Sequence, residues 1–129
     1  MTTQHHQPIV LLVEDDPHVR AMLVESLTGE GFVTLEAANG KEGLARFAAG
    51  KVDVVVTDIL MPEMEGLQFI KALRGQAPEL PIIAISGGAV HLSPGCNLEL
   101  ASMFGATHVI QKPLNIDDLA ATIKRCLPA

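Results

Sequence analysis

Aromatic side chains are nearly missing from this chain: four Phe, no Tyr and no Trp among 129 residues. Its core must therefore be aliphatic, which suits parallel strands buried on both faces. Cysteine is limited to Cys96 and Cys126, without metal-type spacing or a partner motif, and both read as reduced thiols. Lys and Arg are scattered rather than clustered, and the formal charge is −6. That excludes nucleic acid as a direct partner, because phosphate neutralisation needs a concentrated basic surface. Divalent cations and basic protein patches stay compatible. No apolar run approaches a membrane span. The tail, residues 1–7, lacks both the basic region and the apolar stretch of a signal peptide, so it reads as disordered, with His5 and His6 solvated. The expected location is the cytoplasm.

What is present is enough apolar residue, 48%, to bury the core of one domain. Neither repeats nor low-complexity linkers interrupt it. Short apolar runs alternate with helical patterns, the signature of a parallel α/β sheet. Ile9 to Val13 is the first strand, stopped by Glu14-Asp15-Asp16. Asp16 is placed to cap a helix that opens at Pro17, carries Val19, Leu23 and Leu27 with Met22 and Ser26 beside them, and stops at Gly29 and Gly31. Phe32 to Ala37 is the second strand. Asn39-Gly40 reads as a turn before a helix with Leu44, Phe47 and Ala48 inward. Val52 to Thr57 is the third strand, delivering Asp58 at its carboxyl end, and Leu67, Ile70 and Leu73 mark the next helix. Pro81 to Ile85 is the fourth strand, followed by a loop through Ala89 to Asn97 and a short helix from Leu98 to Phe104. Val109-Ile110 belong to the fifth strand. Asn115 caps a last helix with Leu119, Ile123 and Leu127 inward. Five strands and five helices result.

Ligands in such sheets bind beyond the carboxyl ends of the strands. Glu14, Asp15, Asp58, Ser86 and Lys112 all fall there. Crowded carboxylates repel one another unless a cation relieves the field, and carboxylate, carbonyl and water oxygens match Mg²⁺. Taken alone, Glu14-Asp15-Asp16 is better read as a solvated acidic turn with Asp16 as helix cap, and Lys112 beside Asp58 can be a plain salt bridge. Yet an ammonium, a divalent cation and a hydroxyl around one carboxylate is the set that phosphoryl transfer to that carboxylate needs. Ser86, with the backbone N–H groups of Ser86 and Gly87, can bind a remaining phosphoryl oxygen.

From about Pro8 to Leu127 the chain resembles the receiver domain of response regulators in bacterial two-component systems. The motifs are Leu-Leu-Val-Glu14-Asp15-Asp16-Pro, Asp58-Ile-Leu-Met-Pro-Glu-Met-Glu-Gly66, Ile-Ile-Ala-Ile-Ser86-Gly and Gly105-Ala…Gln-Lys112-Pro113, in that order. The resemblance implies a single receiver domain over residues 8–127, flavodoxin-like and doubly wound, with strand order 2-1-3-4-5. It makes Asp58 the phosphoacceptor, Asp15 a direct Mg²⁺ ligand, Glu14 a ligand through water and Leu60 a backbone carbonyl ligand. Ser86, Gly87 and Lys112 contact the phosphoryl group, and the Lys112–Pro113 bond is expected to be cis. Partners implied are a sensor histidine kinase or histidine phosphotransfer protein, then a downstream protein target or self-association. Such a domain is a signalling phosphoacceptor that catalyses only its own phosphorylation and dephosphorylation. Two departures stand out. Val109 occupies the place of the family's switch aromatic, and the stretch between Ser86 and Gly105 is longer than usual.

Three rivals were open to this sequence. A receiver that acts only by docking is opposed by the intact acid, lysine and hydroxyl set. An aspartyl-phosphate hydrolase needs a second acid two residues after the nucleophile, where this chain has Leu60. A flavin carrier needs a phosphate-cradling loop and stacking aromatics, and has neither. After the last helix only Pro128-Ala129 follow, which fits a stand-alone regulator and a piece of a larger one alike.

Overall fold

Ile9-Val10-Leu11-Leu12-Val13 has no polar residue on either side of its pleat, so it belongs inside a sheet covered on both faces. The computed structural model describes residues 7–59, 65–86, 105–111 and 114–127, without the side chains of Glu65, Ser86 and Gln111. In it that segment is β1 (Ile9–Val13), followed by α1 (Pro17–Gly29), β2 (Val33–Ala37), α2 (Gly40–Ala49), β3 (Val54–Asp58), α3 (Glu65–Gln76), β4 (Ile82–Ser86), β5 (His108–Gln111) and α4 (Ile116–Cys126). The five strands are parallel in the order β2-β1-β3-β4-β5. The short helix expected from Leu98 to Phe104, and the loop before it, lie outside the described residues.

Alternate residues of each strand feed opposite cores. Leu11, Val13, Val55, Ile82 and Ala84 pack under α2 and α3, against Leu67, Phe69, Ile70 and Leu73. Val10, Leu12, Val54, Val56, Ile83 and Ile85 pack under α1 and α4, against Leu23, Leu27, Leu119 and Ile123. Each fully buried aliphatic side chain contributes about 1.5–3 kcal/mol of burial. Met22, expected beside the inner stripe of α1, is instead 54% exposed.

Local chemistry sets the boundaries. The Asp16 carboxylate accepts from the N–H groups of His18 (2.8 Å) and Val19 (3.3 Å), and Pro17 follows where its missing N–H costs nothing. At the other end of α1, Phe32 N–H donates to the Leu27 carbonyl and Gly31 N–H to that of Thr28. This is a Schellman closure, with Gly31 at φ +97°. It keeps Phe32 with the helix end, so β2 begins one residue later than its composition indicates.

Asn39 is a cap rather than a turn residue. Its Oδ1 accepts from Glu42 N–H at 2.8 Å, while Glu42 Oε1 accepts from Ala38 N–H at 2.9 Å. Gly43, not Ala48, sits on the inner face of α2, because a Cβ there would stand 2.8 Å from the Phe69 ring. β3 starts at Val54 because Asp53 serves the ladder with its side chain: Ile9 N–H donates to Asp53 Oδ2 at 2.7 Å. The strand then extends through Asp58, which pairs with Ile85.

Candidate functional site

Because the strands are parallel, their carboxyl ends share one edge. Val13 pairs with Thr57, Asp58 with Ile85 and Ser86 with Gln111. Glu14, Asp58, Ser86 and the end of β5 therefore lie side by side across the sheet. Lys112 is the next residue after Gln111. It lies outside the described residues, as do Leu60 and Gly87.

The three consecutive acids have three different surroundings. Glu14 is 3% exposed. Its N–H donates to the Ala37 carbonyl at 3.0 Å, its own carbonyl accepts from Arg20 Nη1 at 2.7 Å, and its Oε2 accepts from Asp16 N–H at 3.0 Å. A buried charge needs such partners. Asp15 is exposed. Asp16 is committed to the helix cap. The acidic turn is thus one buried anchor, one open carboxylate and one cap.

Asp58 ends the central strand β3 and is 4% exposed. Its backbone is approached from above by α3. A Cβ on Gly66 would overlap the Asp58 carbonyl oxygen and lie 2.5 Å from Ile59 Cα. Only glycine lets the start of α3 cross the end of β3 this closely. The sequence displays Gly66 inside its motif, but the reason for it is visible only here.

Among the described residues no three His, Cys, Asp or Glu side chains close into a metal-holding group. A closed cage is not what Mg²⁺ requires. That ion takes one or two carboxylates and completes its octahedron with carbonyl and water oxygens. Asp15 and Asp58, hard oxygen donors on neighbouring strand ends, fit it.

Val109 is half-buried on the α3 side of the sheet, opposite Ala84. Arg20 and Arg74 had no assigned role in the sequence, and both turn out to be bound on several sides. Arg74 donates to the carbonyls of Gly105 (2.7 and 3.1 Å), Ala77 (3.0 Å) and Pro78 (2.8 Å), and to Thr107 Oγ1 (3.5 Å). Among the described residues no helix is long and apolar enough to cross a membrane.

A doubly wound parallel sheet of order 2-1-3-4-5, with acids gathered where β1 and β3 end, is the flavodoxin-like fold of the chemotaxis-regulator kind. The chain belongs to the response regulator receiver domain family, whose model matches residues 10–124, and so is a module of two-component signalling rather than a conventional enzyme. Among solved structures it is similar to the chemotaxis protein CheY4 of Vibrio cholerae, with a TM-score of 0.83 and 32% identity, covering 95% of this chain and 100% of that one. A receiver domain protein of Clostridium thermocellum superposes with a TM-score of 0.83 at 26% identity, over 92% and 93% of the two chains. Among curated proteins, sensor kinase CckA of Brucella abortus is 38% identical over 92% of this chain and 12% of its own length. The DNA-binding transcriptional regulator NtrC of Salmonella typhimurium is 34% identical over 92% and 24% respectively. The chain spans from about an eighth to a half of the curated relatives it matches.

Proposed function

We propose that Asp58 accepts a phosphoryl group from a phosphohistidine on a sensor histidine kinase or a histidine phosphotransfer protein, with Mg²⁺ as cofactor. The observation that carries this reading is the enclosed Asp58 carboxylate at the end of the central strand, flanked by the acidic end of β1 on one side and Ser86 on the other. An Asp58 carboxylate oxygen forms the new bond to phosphorus as the histidine N–P bond breaks, and the imidazole, already protonated at its other ring nitrogen, leaves neutral with the bonding pair. Later a water attacks phosphorus and the aspartyl O–P bond breaks. Asp15 and Asp58 would hold the cation, with the Leu60 carbonyl, and Glu14 would support it through water. When bound, Mg²⁺ offsets charge on the phosphoryl oxygens. Ser86, Gly87 and Lys112 meet the remaining oxygens. The kinship with a sensor kinase and a transcriptional regulator supports histidine-to-aspartate signalling as the context.

Intact-mass spectrometry after acetyl phosphate and Mg²⁺ tests the acceptor. One hydrolysable phosphoryl adduct is expected on the wild type and none on Asp58→Ala. An undiminished adduct in the variant refutes the assignment.

Phosphorylation then changes a surface that a downstream protein, or a second copy, reads. Val109 is β-branched, with few rotamers and no ring to turn inward. The change is therefore assigned to the segment attached to Ser86, residues 87–97, as a reorganisation of backbone. Amide exchange with and without beryllofluoride checks it. Changes confined to Val109 and α4 return the output to the last strand.

A further inference from the structure

Arg20 stands in a place that helix electrostatics disfavours. It lies one turn inside the amino end of α1, where the macrodipole repels cations and the cap carboxylate of Asp16 is the acid that offsets it. Its guanidinium nevertheless makes two well-placed contacts. Nη1 donates to the Glu14 carbonyl at 2.7 Å, and Nε donates to Glu36 Oε1, on β2, at 3.3 Å. The side chain is only 20% exposed. Neither contact is with the carboxylate of Glu14 or Asp15. Arg20 grips the peptide between those two acids.

The neighbouring strand supports that grip. Glu14 N–H is held by the Ala37 carbonyl, one residue beyond Glu36. The chain leaving β2 is itself fixed by the reciprocal Asn39 and Glu42 caps. The Glu14 residue is thereby held at its N–H by β2, at its carbonyl by Arg20 and at its carboxylate by Asp16 N–H. The next residue, Asp15, is the exposed one.

We infer that Arg20, braced by Glu36, is a positioning residue for the cation site: it fixes the peptide from which Asp15 projects. This rests on the Mg²⁺ reading above. The inference can be separated from simple charge effects because the two have opposite signs. As a nearby cation alone, Arg20 opposes Mg²⁺ binding, and its removal tightens the complex. As a positioning group, its removal loosens the ligand and weakens the complex, typically by about tenfold or more for outer groups that orient metal ligands.

The experiment is Mg²⁺ titration of the whole chain by calorimetry, with amide shifts of Glu14 to Asp16 followed in parallel. In Arg20→Gln the Kd for Mg²⁺ is expected to rise about tenfold, with metal-free shifts at Glu14 and Asp15 displaced. Arg20→Lys, which keeps the charge and loses the two-armed contact, should fall between that variant and the wild type. Glu36→Gln leaves α1 untouched and covers the case in which Arg20→Gln does not fold. Loss of its negative charge weakens Mg²⁺ binding by itself, so its readout is the metal-free amide shifts of Glu14 and Asp15, which should move as in Arg20→Gln, and in the double variant the two displacements should not add. A wild type that binds Mg²⁺ while Arg20→Gln binds it equally or more tightly overturns the inference alone, as do unmoved Glu14 and Asp15 shifts in Glu36→Gln should Arg20→Gln not fold. A wild type that binds no Mg²⁺ overturns the cation reading and this inference with it.

Discussion

The two ends of the sheet use polar side chains in opposite ways. At the amino end, Asp53 Oδ2 takes the Ile9 N–H, Thr107 Oγ1 takes the Ile82 N–H, and Arg74 spreads its N–H donors over three carbonyls and a hydroxyl. Each charge there closes a backbone edge. At the carboxyl end, the acids of β1 and β3 are gathered instead, with Asp15 open to solvent and Asp58 enclosed. Like charges converge there against their own repulsion. Backbone closure is concentrated at one edge and converging acids at the other.

Gly66→Ala attacks the carboxyl end through its backbone and has the largest expected effect. Its Cβ has no space over Asp58 and Ile59, so about 3 kcal/mol of stability should be lost. A denaturant midpoint within error of the wild type would mean that α3 yields there. Arg74→Ala should cost about 2 kcal/mol, the range for hydrogen bonds to a charged group, while the Kd for Mg²⁺ stays unchanged. A shifted Kd would show that the two ends are coupled.

Asp15 and Asp16 sharpen the contrast within a single turn. Asp16→Ala should lose about 1 kcal/mol with its cap and leave Mg²⁺ binding largely intact, whereas Asp15→Ala should weaken Mg²⁺ binding and slow phosphorylation. The reverse outcome would move the ligand register by one residue. The smallest effect concerns Cys126, in the last turn of α4. Burial raises its thiol above the ordinary value, with Arg125 pulling it down less strongly. The folded state therefore favours the protonated thiol, and this small contribution is complete below the unfolded pKa and fades as pH rises above it. Peptide-resolved alkylation near pH 8 should be slower at Cys126 in the folded than in the unfolded chain.

Much of this was legible in the residues themselves. Unbroken aliphatic runs announced buried parallel strands, and Asp16-Pro17 and Asn115 announced helix starts, because those signals are local. Asp58 could be placed at a strand end by counting. Features that depend on contact across the chain were not legible. Gly66 is explained by the backbone beneath it, Gly43 by the Phe69 ring, and Arg20 by a carbonyl that β1 brings to it. Asn39-Gly40 resembled a turn because a cap and a turn use the same residue types. Met22 lay near the apolar stripe in sequence, yet it is Leu23 and Leu27 that α1 turns onto the core.

The order of the strands also determines how the molecule yields when pulled by its ends. β1 enters first in sequence but lies inside the sheet, bonded to β2 on one side and β3 on the other. β5 is four residues long and, among the described residues, is an edge strand with β4 as its one partner, and α4 follows it. Tension between the termini should therefore peel α4 and β5 away while β1 holds. In sequence the mechanical weak point is followed directly by Lys112, so a load on the carboxyl terminus would reach the proposed phosphoryl site before the core opened.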